Sequence, residues 1–131
     1  MRYFVSYARR DNSVDLLCKV RTLLCGDECD VYIDDLEEHG SGVDRLQVVI
    51  NALTSADIFV ALESRHYLTT NWTRWEFETA LRMNTEMVAL TSALELMRPN
   101  DPRWPWSAYV SVGGRAPVAY SCVNAGTTPR C

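Results

Sequence analysis

Two carboxylates, Glu76 and Glu78, stand in the run Trp72-Thr73-Arg74-Trp75-Glu76-Phe77-Glu78, and they are the residues best suited to acid, base or ion-stabilising chemistry. Two positions apart on a helix, they point to nearly opposite sides and cannot act as a dyad on one substrate. A helical wheel at ~100° per residue separates them. Trp72, Met83, Glu76, Ala80, Phe77 and Leu81 share one half-circle, whereas Arg74, Glu78 and Arg82 share the other. The spacing predicts a solvated Glu78 with an arginine on each side, and a Glu76 inside an apolar arc. An unpaired carboxylate in such a place is costly and its pKa rises. Glu76 is then either satisfied by a concealed hydrogen-bond partner or turned to a ligand cavity. Trp72 and Trp75 offer faces on which a planar ring could stack, or they are plain core.

The remaining constellations are weaker. His39 and His66 each lie in a loop with no Gly-x-Ser-x-Gly elbow, so a Ser-His-Asp nucleophile has no support. No Gly-x-Gly-x-x-Gly follows the first strand and no Gly-Lys-Ser/Thr occurs, which excludes Rossmann and P-loop phosphate binding. A phosphate would instead use Arg9, Arg10 and the N–H groups that open the first helix. Solvated loop charges are the equally good alternative for those arginines. The five cysteines (Cys18, Cys25, Cys29, Cys122, Cys131) lack the paired spacing of a zinc site and are read as reduced, mostly buried thiols with no metal.

These side chains need a scaffold to position them. The chain's 131 residues suffice for one buried core, and 47% hydrophobic with 23% charged residues fits a soluble globular protein. The net charge of −4 argues against a nucleic-acid partner. No apolar run approaches the roughly 20 residues of a membrane span, and no signal peptide opens the chain, so a cytoplasmic address without a membrane partner is expected.

Short apolar runs alternate with helical periodicity. Tyr3 to Tyr7, Val31 to Ile33, Ile58 to Leu62 and Met87 to Leu90 read as strands. Leu16, Leu17, Val20, Leu23 and Leu24 mark a first helix between the caps at Asp11 to Ser13 and a stop at Gly26. Val43, Leu46, Val49, Ile50 and Leu53 mark a second, and residues 71–84 a third. This order predicts an α/β, flavodoxin-like three-layer domain with a central, mostly parallel sheet. Ligands then bind beyond the carboxyl ends of the strands, among Ser6 to Asp11, Asp34 to Gly42 and Ser64 to Glu76. An α/β core over 1–98 gives way to a divergent Pro/Trp-rich segment, 99–131, packed on the same domain. It holds a candidate hairpin about Gly113-Gly114 and a frayed tail.

Four stretches, in this order and spacing, resemble the Toll/interleukin-1 receptor (TIR) domain family. They are Tyr3 to Asp11, Val31 to Asp35 with its glycine-containing loop, Ala52 to Ser64 with Tyr67-Leu68, and Trp72 to Glu76. The likeness covers residues 1 to about 92. Trp-x-x-x-Glu is similar to members that hydrolyse NAD+ or convert it to cyclic or modified ADP-ribose. By that resemblance Glu76 is catalytic, and Trp72 is the tryptophan that precedes it. Ser6, Tyr7 and Arg9 contact the dinucleotide, and Asp34 and Asp35 open a loop that closes on substrate and on neighbouring copies.

The resemblance implies an NAD+ glycohydrolase or ADP-ribosyl cyclase with NAD+ as substrate and no cofactor. It also implies self-association, a downstream effector of the nucleotide product, and a stand-alone microbial protein of antiviral defence. A non-catalytic interaction module and a deoxyribosyltransferase-like enzyme are the alternatives.

Overall fold

The computed structural model describes residues 1–25, 30–37, 42 and 44–106. Within these residues, five strands form one sheet: β1 (Arg2–Ser6), β2 (Asp30–Tyr32), β3 (Ile58–Leu62), β4 (Glu86–Leu90) and β5 (Leu96–Met97). Among the described residues, three α-helices alternate with them: α1 (Val14–Cys25), α2 (Arg45–Ser55) and α3 (Asn71–Arg82). The spatial order is β2-β1-β3-β4-β5. The first four strands pair in parallel, and β5 folds back antiparallel on β4 with Ala89 opposite Met97. The α/β class with a mostly parallel sheet is therefore as the sequence implied.

Strand alternation divides the core into two layers. Phe4, Phe59, Ala61, Met87 and Ala89 face Val49 and Leu53 of α2 and Trp75, Phe77 and Ala80 of α3. Val5, Val60, Leu62, Val88 and Leu90 face Leu17 and Val20 of α1 from the opposite side. Ser6 is two positions beyond Phe4 in β1, so its side chain emerges toward α3. Local caps set the helix starts. The Ser13 hydroxyl accepts the Leu16 N–H at 3.2 Å, the Asp44 carboxylate accepts the Gln47 N–H at 3.2 Å, and the Thr70 hydroxyl accepts the Thr73 N–H at 3.3 Å.

Three expectations are corrected. β5 was not foreseen, since two residues carry no periodicity of their own. Glu78 is buried at 4% exposure instead of solvated. The wheel assumed a single covered face and carries no information on what the rest of the fold lays over the other; Trp106 packs on Phe77 at 5.4 Å and Trp104 on Trp106 at 5.1 Å within the apolar cluster of the sheet side. Cys18 and Cys25 are each disulfide-bonded, so for these two the reading as reduced thiols fails. Seven positions apart on α1, they stand about 10 Å from each other along its axis at ~1.5 Å per residue, beyond the span of a bridge between them. An odd count and loose spacing say nothing about which thiols approach. Gly26, Cys29, His39, Gly40, Val43, Cys122, Cys131, the hairpin about Gly113-Gly114 and the tail lie outside the described residues.

Among the described residues no helix is long and apolar enough to cross a membrane. No cluster of three His, Cys, Asp or Glu side chains among them could hold a metal ion.

Candidate functional site

The sheet order reverses between β1 and β3: β2 follows β1 on one side, while β3 and β4 extend the other. Such a switch point opens a crevice at the carboxyl ends of the strands. A cavity of 450 Å³ lies there. Tyr7, Arg9 and Arg10 line it from the segment after β1, and Asp34 from the 3-10 turn (Asp34–Leu36) after β2. Thr70, Trp72, Thr73 and Glu76 line it from the start of α3.

Glu76 is 5% exposed. The Ser6 hydroxyl donates to its Oε1 at 2.8 Å, and the Tyr67 hydroxyl donates to Ser6 Oγ, also at 2.8 Å. Burial pushes the Glu76 carboxyl up to about 8. Hydrogen bonds from Ser6 and from the Trp72 side chain pull the other way, and the nearby charge of Asp34 adds to the rise. Among the described residues, no cation is among the groups that shift it. The two possibilities left open by the wheel are thus both realised: Glu76 has concealed partners and also lines a cavity.

The acidic pair is tied down by arginines. Asp34 accepts from the Tyr32 hydroxyl at 2.7 Å and from Arg45 Nη2 at 2.6 Å. Arg9 forks onto Asp35, with Nε at 3.1 Å from Oδ2 and Nη2 bonded to Oδ1. The Asp35 N–H donates to the Tyr7 hydroxyl at 2.9 Å. Burial, with the charge of Asp35 beside it, pushes the Tyr7 phenol far above its ordinary range, so Tyr7 stays neutral.

Of the residues singled out in the sequence, Tyr7, Arg9, Asp34, Trp72 and Glu76 converge on the cavity. Ser6 and Asp35 stand one layer behind, holding Glu76 and Arg9 respectively. Arg45 and Thr70 carried no signal specific enough to single them out, and Tyr32, Tyr67 and Thr73 stood only within the stretches that carry the resemblance, with no role attached. Only the Thr70-x-x-Thr73 spacing, a helix-cap pattern, hinted at two of them.

Asp11 and His66 meet, but not as a catalytic pair. The Asp11 carboxylate accepts Ser64 Oγ at 2.7 Å and the His66 N–H at 2.6 Å, and lies 2.6 Å from His66 Nδ1. The carboxylate, not the imidazole, is central, so no serine is activated. The hydrogen bonds from the His66 and Ser64 side chains, in that order, lower the Asp11 carboxyl to about 2.

A family model described as TIR domain matches residues 4–109. No curated protein and no solved structure matches the chain.

Proposed function

The chain belongs to the TIR domain family, and on that premise we propose that it cleaves the nicotinamide–ribose bond of NAD+ to give ADP-ribose or a cyclic or otherwise modified ADP-ribose. The observation that carries this reading is Glu76: a buried carboxyl held by the Ser6 hydroxyl and lining the same cavity as Trp72, Arg9 and Arg10. Nicotinamide leaves as a neutral base from a cationic ring, so no general acid is required. The Glu76 carboxylate stabilises the oxocarbenium-like ribose as the bond lengthens, or traps it covalently, and water or an internal nucleophile completes the reaction. Arg9 and Arg10 suit the diphosphate, and Trp72 offers a face to a flat ring.

The charge of the substrate fits the electrostatics of the pocket. A cationic ring beside Glu76 favours the carboxylate and counteracts the burial that keeps it protonated. Self-association, a downstream effector and a role in bacterial antiviral defence belong to the same proposal, as does a cytoplasmic setting.

A second reading rests on the same hydrogen bonds. A neutral Glu76 satisfied by Ser6 and Trp72 is an acceptable buried group, and the domain would then act only through contacts with partners.

Nicotinamide release from NAD+ separates the two, measured at several protein concentrations for wild type, Glu76→Gln and the exposed control Glu86→Gln. The enzyme reading expects release by wild type and the control, and loss of about 100-fold or more in Glu76→Gln. It also expects kcat/KM to rise with pH toward a midpoint near 8, because the anion is the active form. Absence of release at every concentration would leave the interaction module. Release of free base from deoxynucleosides alone would indicate deoxyribosyl transfer.

A further inference from the structure

We infer that Ser6 and Tyr67 are positioning residues for Glu76, forming a Tyr67–Ser6–Glu76 hydrogen-bond relay that fixes the carboxyl at the cavity wall and favours its anion. The inference rests on the reading of Glu76 as the reacting carboxylate and adds to it the device that orients that group.

The relay is geometrically complete. Tyr67, Ser6 and Glu76 are 5%, 1% and 5% exposed, and both links measure 2.8 Å. A serine hydroxyl has one proton. With Tyr67 donating to Ser6 Oγ, the Ser6 proton is directed at Glu76 Oε1. In a dry interior, hydrogen bonds in series polarise one another, so Tyr67 acts on Glu76 without touching it.

Tyr67 is itself held firmly. Its ring packs on Trp106 at 5.1 Å and edge-on to Phe77 at 6.3 Å. The next residue, Leu68, takes the left-handed conformation at φ 67°, and its N–H donates to Thr73 Oγ1 at 3.1 Å. A leucine rarely adopts that backbone without such support. The turn therefore aims Tyr67 at the end of β1.

The other groups facing Glu76 do not replace the relay. Asp34, from the turn after β2, repels the anion, and its charge is engaged by Arg45. Arg9 is engaged by Asp35. Arg10, Tyr7, Thr70 and Thr73 line the cavity, and Trp72 bonds from the same helix. Among the described residues, Ser6 is thus the hydrogen-bond partner that joins Glu76 to a different element of the fold.

The test reads Glu76 directly. Protein carrying ¹³C at the glutamate carboxyls is titrated by NMR, with Glu76→Gln assigning the resonance, for wild type, Ser6→Ala, Tyr67→Phe and the double variant. Loss of a hydrogen bond to an ionised group corresponds to roughly tenfold or more. Ser6→Ala should therefore raise the Glu76 midpoint by about one pH unit or more. Tyr67→Phe, which keeps the ring and its packing, should raise it by less, and the double variant should match Ser6→Ala. In NAD+ cleavage, kcat near neutrality should fall about tenfold while KM stays within about twofold. An unchanged midpoint in folded Tyr67→Phe, or fully additive shifts in the double variant, would overturn the relay. If the midpoints move as stated while wild type releases no nicotinamide, the relay stands and the NAD+ reading falls.

Discussion

At the scale of single residues, a glutamate pushed up to about 8 makes stability depend on pH in an unusual direction. Its folded-state pKa lies above the ordinary 4.5, so its stabilising effect is complete below pH 4.5 and is lost as pH rises through 8. An uncharged isostere escapes that loss. We expect the Tm of Glu76→Gln relative to wild type to climb between pH 5 and pH 9, by about 4 °C or more. Thermal melts across that range check it, and a flat difference would mean that Glu76 ionises as an exposed glutamate does. The stability effect needs no substrate, so it reports on the carboxyl independently of any reaction.

Between elements, the Asp11 carboxylate joins the 3-10 turn (Arg9–Asp11) to the segment after β3 through Ser64 and His66. This group shifts downward, so its contribution is present above about pH 3.8 and disappears as pH falls through about 2. Asp11→Asn should speed amide hydrogen exchange at His66 and flatten the acid limb of stability between pH 4 and pH 2, while exchange within β4 stays at the wild-type rate. How far the elements were legible beforehand depended on how local their signals are. Ile58 to Leu62 announced itself as a buried strand because every residue in it is apolar, and Leu17 and Val20 repeat with the helical period. Glu76 was visible as an odd carboxylate on an apolar face. Its partner Ser6 lies 70 positions away, and no spacing rule spans that distance. Glu78 is buried where the wheel predicts a solvated face, because a wheel drawn on one helix carries no information on what the rest of the fold lays over that helix.

Over the molecule as a whole, the Pro/Trp-rich stretch contributes to the core that supports the site. Trp104 is buried at 8% exposure and belongs to the same apolar cluster as Phe77, Tyr67 and Met97. Trp104→Ala should cost about 3–5 kcal/mol in urea unfolding, the range for removing a buried large aromatic. A loss under about 1 kcal/mol would show that this segment is peripheral. The bond from Ser6 to Glu76 also has a consequence for how the site comes into being. It closes 70 positions of chain, so it forms only once β1 and α3 have docked. Before that moment Glu76 is an ordinary ionised side chain near neutral pH; afterwards it carries a proton. Folding at neutral pH therefore draws a hydrogen ion from the solvent, and the heat of refolding should vary with the ionisation enthalpy of the buffer.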